Sequence, residues 1–243
     1  MAVIAVYSVK GGVGKTTIAA NLAWCSAAIS RRRTLLWDLD PAGGAAFLFG
    51  LDANDPDRAA KLFAGKGGPD KAIRPSGFDR LDLLPADESL RGLESQLLAL
   101  GKRRRLGKIA QALSREYERI ILDCPPVLNE VSGQVIRAAD LVIVPLPASP
   151  LSMRALRQIQ DYFAANHKQH PPILPVLSMY DARRRLHKET RAEWPNWPVI
   201  PMASLIERMA DTKRPAGALA PSSPQAQSFA RLWTAVERKL AKG

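Results

Sequence analysis

The segment Lys10-Gly-Gly-Val-Gly-Lys-Thr-Thr17 constrains this chain most, because three glycines and two lysines separate the apolar run Val3–Ser8 from the first amphipathic helical pattern. Glycines at a strand-to-helix junction let backbone N–H groups converge on one point, and the helix N-terminus adds the positive end of its dipole. Two lysines so close together repel one another unless an anion lies between them. The junction therefore predicts a phosphate cradle, with Lys15 reaching the β and γ phosphates and the Thr16 hydroxyl ligating Mg²⁺. The strict G-x-x-x-x-G-K-[ST] spacing fails at one position. Val9 stands where the first glycine belongs, and an additional lysine, Lys10, opens the pattern.

A strand–cradle–helix unit calls for an α/β architecture, and the rest of the chain has the matching rhythm. Further apolar runs recur at Thr34–Asp38, Leu81–Leu84, Arg119–Cys124, Leu141–Leu146, Ile173–Ser178 and Val199–Ile200. Most are continuously apolar, as strands buried on both faces of a parallel sheet are. Helical patterns lie between them, such as Ile18, Leu22, Cys25, Ile29, and Leu156, Ile159, Phe163 behind a Ser149 cap with Pro150 at the first helical position. The expected fold is α/β, a doubly wound, mostly parallel sheet flanked by helices, in a single domain spanning 1–243. Gly65–Asp70 and Pro215–Pro224 break the rhythm and read as surface loops.

Two strands end in carboxylates. Leu35-Leu-Trp-Asp-Leu-Asp-Pro41 carries Asp38 and Asp40 on one side of its strand, and Arg119-Ile-Ile-Leu-Asp-Cys-Pro-Pro126 ends in Asp123. In an open parallel sheet the carboxyl ends of the strands face the ligand crevice, so all three are candidates for the chemistry beside the cradle. The two cysteines, Cys25 and Cys124, lie in apolar segments without a C-x-x-C pair and read as reduced core residues. No run of about 18 apolar residues is present, so a cytosolic protein is expected.

Taken together these motifs resemble the ParA/MinD family of deviant Walker A P-loop ATPases. The likeness extends through L-L-P-A-D near Leu83–Asp87, D-C-P-P at Asp123–Pro126, A-A-D-L-V-I-V-P at Ala138–Pro145 and M-Y-D-A-R at Met179–Arg183. The resemblance implies ATP and Mg²⁺ bound by Lys10, Gly11, Gly12, Val13, Gly14, Lys15, Thr16 and Thr17, in a homodimer that sandwiches the nucleotide. It implies that Lys10 crosses to the partner's phosphates, that Thr17 holds the α-phosphate, that Asp40 orients the attacking water, and that Asp38 and Asp123 support the Mg²⁺ shell. One departure stands beside the water-orienting position: the family's D-P-Q-G-N reads Asp40-Pro-Ala-Gly-Gly44 here.

The net charge of +12 is unevenly spread. Residues 151–243 carry 15 Lys/Arg against 7 Asp/Glu, whereas 1–150 carry 20 against 16, which points to the C-terminal part for an anionic partner. ParA-like proteins bind DNA without sequence preference through such residues. The candidates are Arg183, Arg184, Arg185, Arg208, Lys213, Arg214 and Arg231. The first three, if helical, spread over about 200° of the circumference. Only nine residues precede Lys10, so no N-terminal operator-binding domain is expected.

The resemblance further implies a partner protein that stimulates hydrolysis through a basic segment, and nucleoid association in the ATP state. Two alternatives stay open. Phe229, Leu232, Trp233, Val236 and Leu240 form a stripe that either packs on the core or lies on lipid, as in MinD. A small-molecule synthetase of the dethiobiotin or cobyrinate kind shares the same ATPase core.

Overall fold

The computed structural model describes residues 1–51, 57–99, 101, 104–166 and 170–242. Eight strands, β1 (Ala2–Val6), β2 (Thr34–Asp38), β3 (Arg74–Phe78), β4 (Leu81–Leu84), β5 (Arg119–Asp123), β6 (Leu141–Pro147), β7 (Ile173–Tyr180) and β8 (Val199–Pro201), form one sheet ordered β3-β4-β2-β5-β1-β6-β7-β8. Every pairing is parallel except β3 with β4.

Strand β3 was not expected from the sequence. Its residues, R-P-S-G-F, contain the proline and glycine that normally punctuate loops. An edge position tolerates both, since one side of the strand donates no ladder bonds, and the pairing is bulged between Pro75 and Phe78.

The helices are α1 (Lys15–Ala28), α2 (Gly44–Leu48), α3 (Arg58–Ala64), α4 (Leu93–Ala99), α5 (Arg105–Leu113), α6 (Glu130–Ala138), α7 (Pro150–Asn166), α8 (Arg185–Glu193), the short α9 (Ser204–Glu207), α10 (Met209–Thr212) and α11 (Ala216–Leu219), and α12 (Pro224–Leu240). They cover both faces of the sheet, which explains the unbroken apolar runs. Val3, Ala5, Leu35, Trp37, Ile120 and Leu122 pack beneath α3 to α7, while Ile4, Val6, Leu36 and Ile121 pack beneath α1 and α12. Ser149 caps α7 as expected, its hydroxyl accepting from Ser152 N–H at 3.2 Å.

The α12 stripe belongs to the core. Phe229, Leu232, Trp233 and Val236 are each at most 2% exposed, and the Trp233 indole donates to Ser30 Oγ at 2.8 Å. A face so covered is unavailable to lipid, and among the described residues no helix is long and apolar enough to cross a membrane. Phe229→Ala is accordingly expected to destabilise the fold by about 3–5 kcal/mol, read as a lowered urea midpoint. A stability loss under about 1 kcal/mol would mean that the stripe is not core.

Pro215–Pro224 also departs from expectation. Ala216 and Gly217 are buried, and a Cβ on Gly217 would collide with the Trp24 ring of α1. Asn21 of α1 anchors the segment by accepting from Ala216 N–H at 2.9 Å. The prolines mark a packed connection, not a loose loop.

Candidate active site

The carboxyl ends of β1, β2 and β5 meet at one place because these strands are adjacent and parallel. From β1 the chain enters the glycine-rich turn, where Gly12 and Gly14 adopt φ of 68° and 88°, a left-handed conformation that disfavours side chains. No side chain caps the N-terminus of α1 and its first turn holds no acidic residue. Its first N–H groups are thus left for an external anion.

Lys15 is only 7% exposed, yet among the described residues its ammonium makes one long contact, 3.4 Å to the Lys10 carbonyl. A buried cation so weakly satisfied favours an anion beside it. Lys10 is half-buried at the mouth and lines an open recess of about 430 Å³ with Leu151 and Arg154 of α7.

The three candidate carboxylates differ in what they touch. Asp38 Oδ1 accepts from Asp40 N–H at 3.0 Å and Oδ2 from Ala45 N–H at 2.9 Å, so this side chain fastens the end of β2 to the following turn and to α2. Asp40 lies past the strand end, half-buried, with Oδ1 accepting from Ala42 N–H at 3.1 Å. Asp123 is fully buried, and neither of its oxygens has a hydrogen-bond partner of ordinary geometry. The two buried acids are register partners across β2 and β5. Burial, with the neighbouring Asp123 charge, raises the Asp38 carboxyl well above its usual range. Burial also pushes Asp123 up to about 7, against the pull of the Thr16 hydroxyl and the Lys15 ammonium.

An orphaned carboxylate beside a threonine hydroxyl fits Mg²⁺, which keeps several waters and takes only one or two protein oxygens besides phosphate. Asp123 and Thr16 are the residues that would hold it. Asp38 spends a lone pair of each oxygen on backbone donors, so the geometry makes it the brace of the Asp40 turn.

The raised Asp123 value has a consequence for the nucleotide-free protein. A carboxyl whose folded value exceeds its unfolded value contributes stability that is present below about pH 4 and lost as pH rises through about 7, with a slope of about 1.4 kcal/mol per unit. Asp123→Asn should flatten the stability-versus-pH curve across that window relative to the parent. Parallel curves would show that Asp123 ionises as an ordinary acid.

The departure Asp40-Pro-Ala-Gly-Gly44 acquires a steric meaning. A Cβ on Gly44 would lie 3.1 Å from Thr16 Cγ2 and 3.4 Å from Thr16 Oγ1, so glycine lets α2 approach Thr16 closely.

A further recess was not legible in the sequence. Val13, Gly14, Thr17 and Ile18 form one wall, and Ser178, Met179, Ile200, Met202 and Ile206 the other, around about 100 Å³. Its apolar lining and the buried, unpartnered Ser178 hydroxyl suit a flat ring with polar edges. Residues more than 160 positions apart meet here only through the sheet order.

The basic candidates occupy varied settings. Arg183 and Arg184 lie in a turn, and α8 begins only at Arg185, so the three do not share a helix. Asp181 starts the turn by accepting from Arg183 N–H at 3.0 Å and holds its guanidinium by two contacts of 2.9 Å. Arg185 pairs with Glu189 at 3.0 Å, the Lys213 ammonium sits 3.1 Å over the Phe47 ring, and Arg231 donates to Ser228 Oγ at 3.0 Å. Arg184, Arg208 and Arg214 are exposed and make no ion pair among the described residues.

A family model described as an AAA domain matches residues 1–176. The sporulation initiation inhibitor protein Soj of Bacillus subtilis is 31% identical over 190 residues, covering 76% of this chain and 75% of that protein. The chain belongs to the ParA/MinD family of P-loop ATPases. The chromosome-partitioning ATPase Soj of Thermus thermophilus is 30% identical over 241 residues, covering 94% of this chain and 92% of its own. Among solved structures, the Mycobacterium smegmatis cobyrinic acid a,c-diamide synthase with bound ATP analogue and magnesium superposes with a TM-score of 0.81 at 28% identity, over 98% of this chain and 94% of that one. The ParA/MinD assignment matches the uncapped cradle, the buried Lys15 and the orphaned Asp123.

Proposed function

We propose that this chain hydrolyses ATP in a nucleotide-sandwich dimer and uses the cycle to position a cargo on DNA, with a partner protein stimulating turnover. The carrying observation is the convergence of an uncapped helix N-terminus, an under-satisfied buried lysine and an orphaned buried carboxylate at one sheet end. The backbone of Gly11 to Thr17 and Lys15 bind the phosphates, and the recess around Ser178 takes the base. When bound, Mg²⁺ neutralises charge developing on the β and γ phosphates. Asp40, at the mouth and tethered on one oxygen, orients water toward the γ-phosphate, while Asp38 holds the turn that carries it. Lys10 lies at the rim, where it can reach a second subunit's phosphates and make hydrolysis depend on dimerisation.

DNA contact is assigned to Arg184, Arg208 and Arg214, with Arg183, Arg185, Lys213 and Arg231 contributing as their local partners permit. If each subunit engages about two to three phosphates, an ATP-locked dimer should show a slope of log affinity against log salt of about −4 to −5, and the monomer half of it. Retention on random-sequence duplex with a slow ATP analogue measures this. Salt-insensitive binding, or none at low salt, would contradict the nucleoid reading.

The diamide-synthase likeness favours a second reading, ATP-driven activation of a small carboxylic acid. It requires an acyl phosphate that hydroxylamine traps. ATP turnover with no added acid counts against it.

A further inference from the structure

At the opposite end of the sheet lies a groove of about 1170 Å³ that the nucleotide chemistry does not use. It runs past the amino ends of β1 at Ala2, β5 at Arg119, β6 after Asp140 and β7 after Pro172, between α5 and the last turn of α12. Strands of five residues place it at least about 16 Å from the phosphate cradle.

Its lining holds more cations than carboxylates. Arg32, Arg104, Lys108, Arg119, Arg137 and Lys239 line it with Asp140 and Glu237, and two of these cations also reach carboxylates outside the lining, Arg32 pairing with Glu118 at 3.1 Å and Arg137 with Glu130. Glu237 is shared by two guanidiniums, 3.0 Å from Arg119 and 3.5 Å from Arg32, and Asp140 is occupied by Val3 N–H at 2.7 Å. Arg32 Nε is buried without a partner. Arg104, Lys108 and Lys239 are exposed on two facing walls, with no ion pair among the described residues. All but Lys239 come from the first 150 residues, so the charge imbalance between the two halves of the sequence gave no hint of them.

We propose that this groove binds the phosphodiester backbone of nucleic acid, without sequence preference and without ATP. The lining offers one ring, His170, and one side-chain amide, Gln111, too little to read base edges, whereas surplus cations on two walls suit a continuous anionic strand. A duplex presents one charge per about 1.7 Å of axis, while an extended acidic peptide offers at most one per about 3.3 Å, so the duplex matches the concentrated charge better. The groove is complete within one subunit. The inference rests on the nucleic-acid reading above, but binding in this groove needs no nucleotide.

The test uses the full chain without nucleotide and a labelled random-sequence duplex followed by fluorescence anisotropy. Low-salt binding is expected, and the Arg104→Ala/Lys108→Ala double variant should weaken it about 10-fold and flatten the salt slope by about two. Retained ATP binding by that variant confirms that it is folded. No low-salt binding by the parent, an unchanged slope in the double variant, or displacement of the duplex by poly-glutamate at equal charge would overturn the proposal. Arg184→Glu separates the two surfaces: it should remove only the ATP-dependent gain, and its failure to do so counts against the dimer surface alone.

Discussion

Lys15→Ala is expected to weaken ATP binding by about 2–5 kcal/mol, roughly 30-fold to several thousand-fold in Kd. The lysine is buried beside the cradle, and among the described residues its ammonium makes a single hydrogen bond, a 3.4 Å contact to the Lys10 carbonyl, so removing it costs the empty protein little and the complex much. Asp123 compounds the loss, because Lys15 is one of the charges that holds it toward its ionised form. The glycine turn and α1 do not depend on the ammonium, so the fold should survive. Titration calorimetry reads the result, and parental affinity in the variant would remove the phosphate-cradle assignment.

Asp40→Ala should lower turnover by about 10²- to 10⁴-fold while ATP binding and dimerisation persist, since positioned acid–base groups contribute on that scale. Among the described residues its carboxylate braces Ala42 N–H alone, and the cradle is built from other residues. Asp38→Ala should behave differently. It releases the N–H groups of both Asp40 and Ala45 into a buried site, so stability and turnover fall together. A single-turnover assay with bound ATP distinguishes the two; undiminished hydrolysis in Asp40→Ala would move the water-orienting role elsewhere.

What could be read in advance follows from how local each feature is. The cradle, β2 and β5 announce themselves because a glycine turn and continuous apolar runs are contiguous signals. Strand β3 carries the residues of a loop, and only its edge position makes it a strand. Asp38 and Asp123 look equivalent in sequence, each ending a buried strand, and are separated by long-range facts: two backbone donors reach Asp38 and none reaches Asp123. The arginine triplet reads as helical until Asp181 is seen to turn the chain before α8. Gly217 reads as loop because its reason for being glycine, the Trp24 ring, lies on α1. The base recess and the basic groove combine residues scattered along the chain, so no spacing rule could find them.

The most direct measurement is molar mass by light scattering with Mg²⁺ and a slowly hydrolysed ATP analogue. The parent chain should move from the 26.5 kDa monomer to twice that mass, and Lys10→Ala should bind the analogue yet stay monomeric. A parent chain that remains monomeric with analogue bound, or a Lys10→Ala chain that dimerises as readily, would contradict the sandwich.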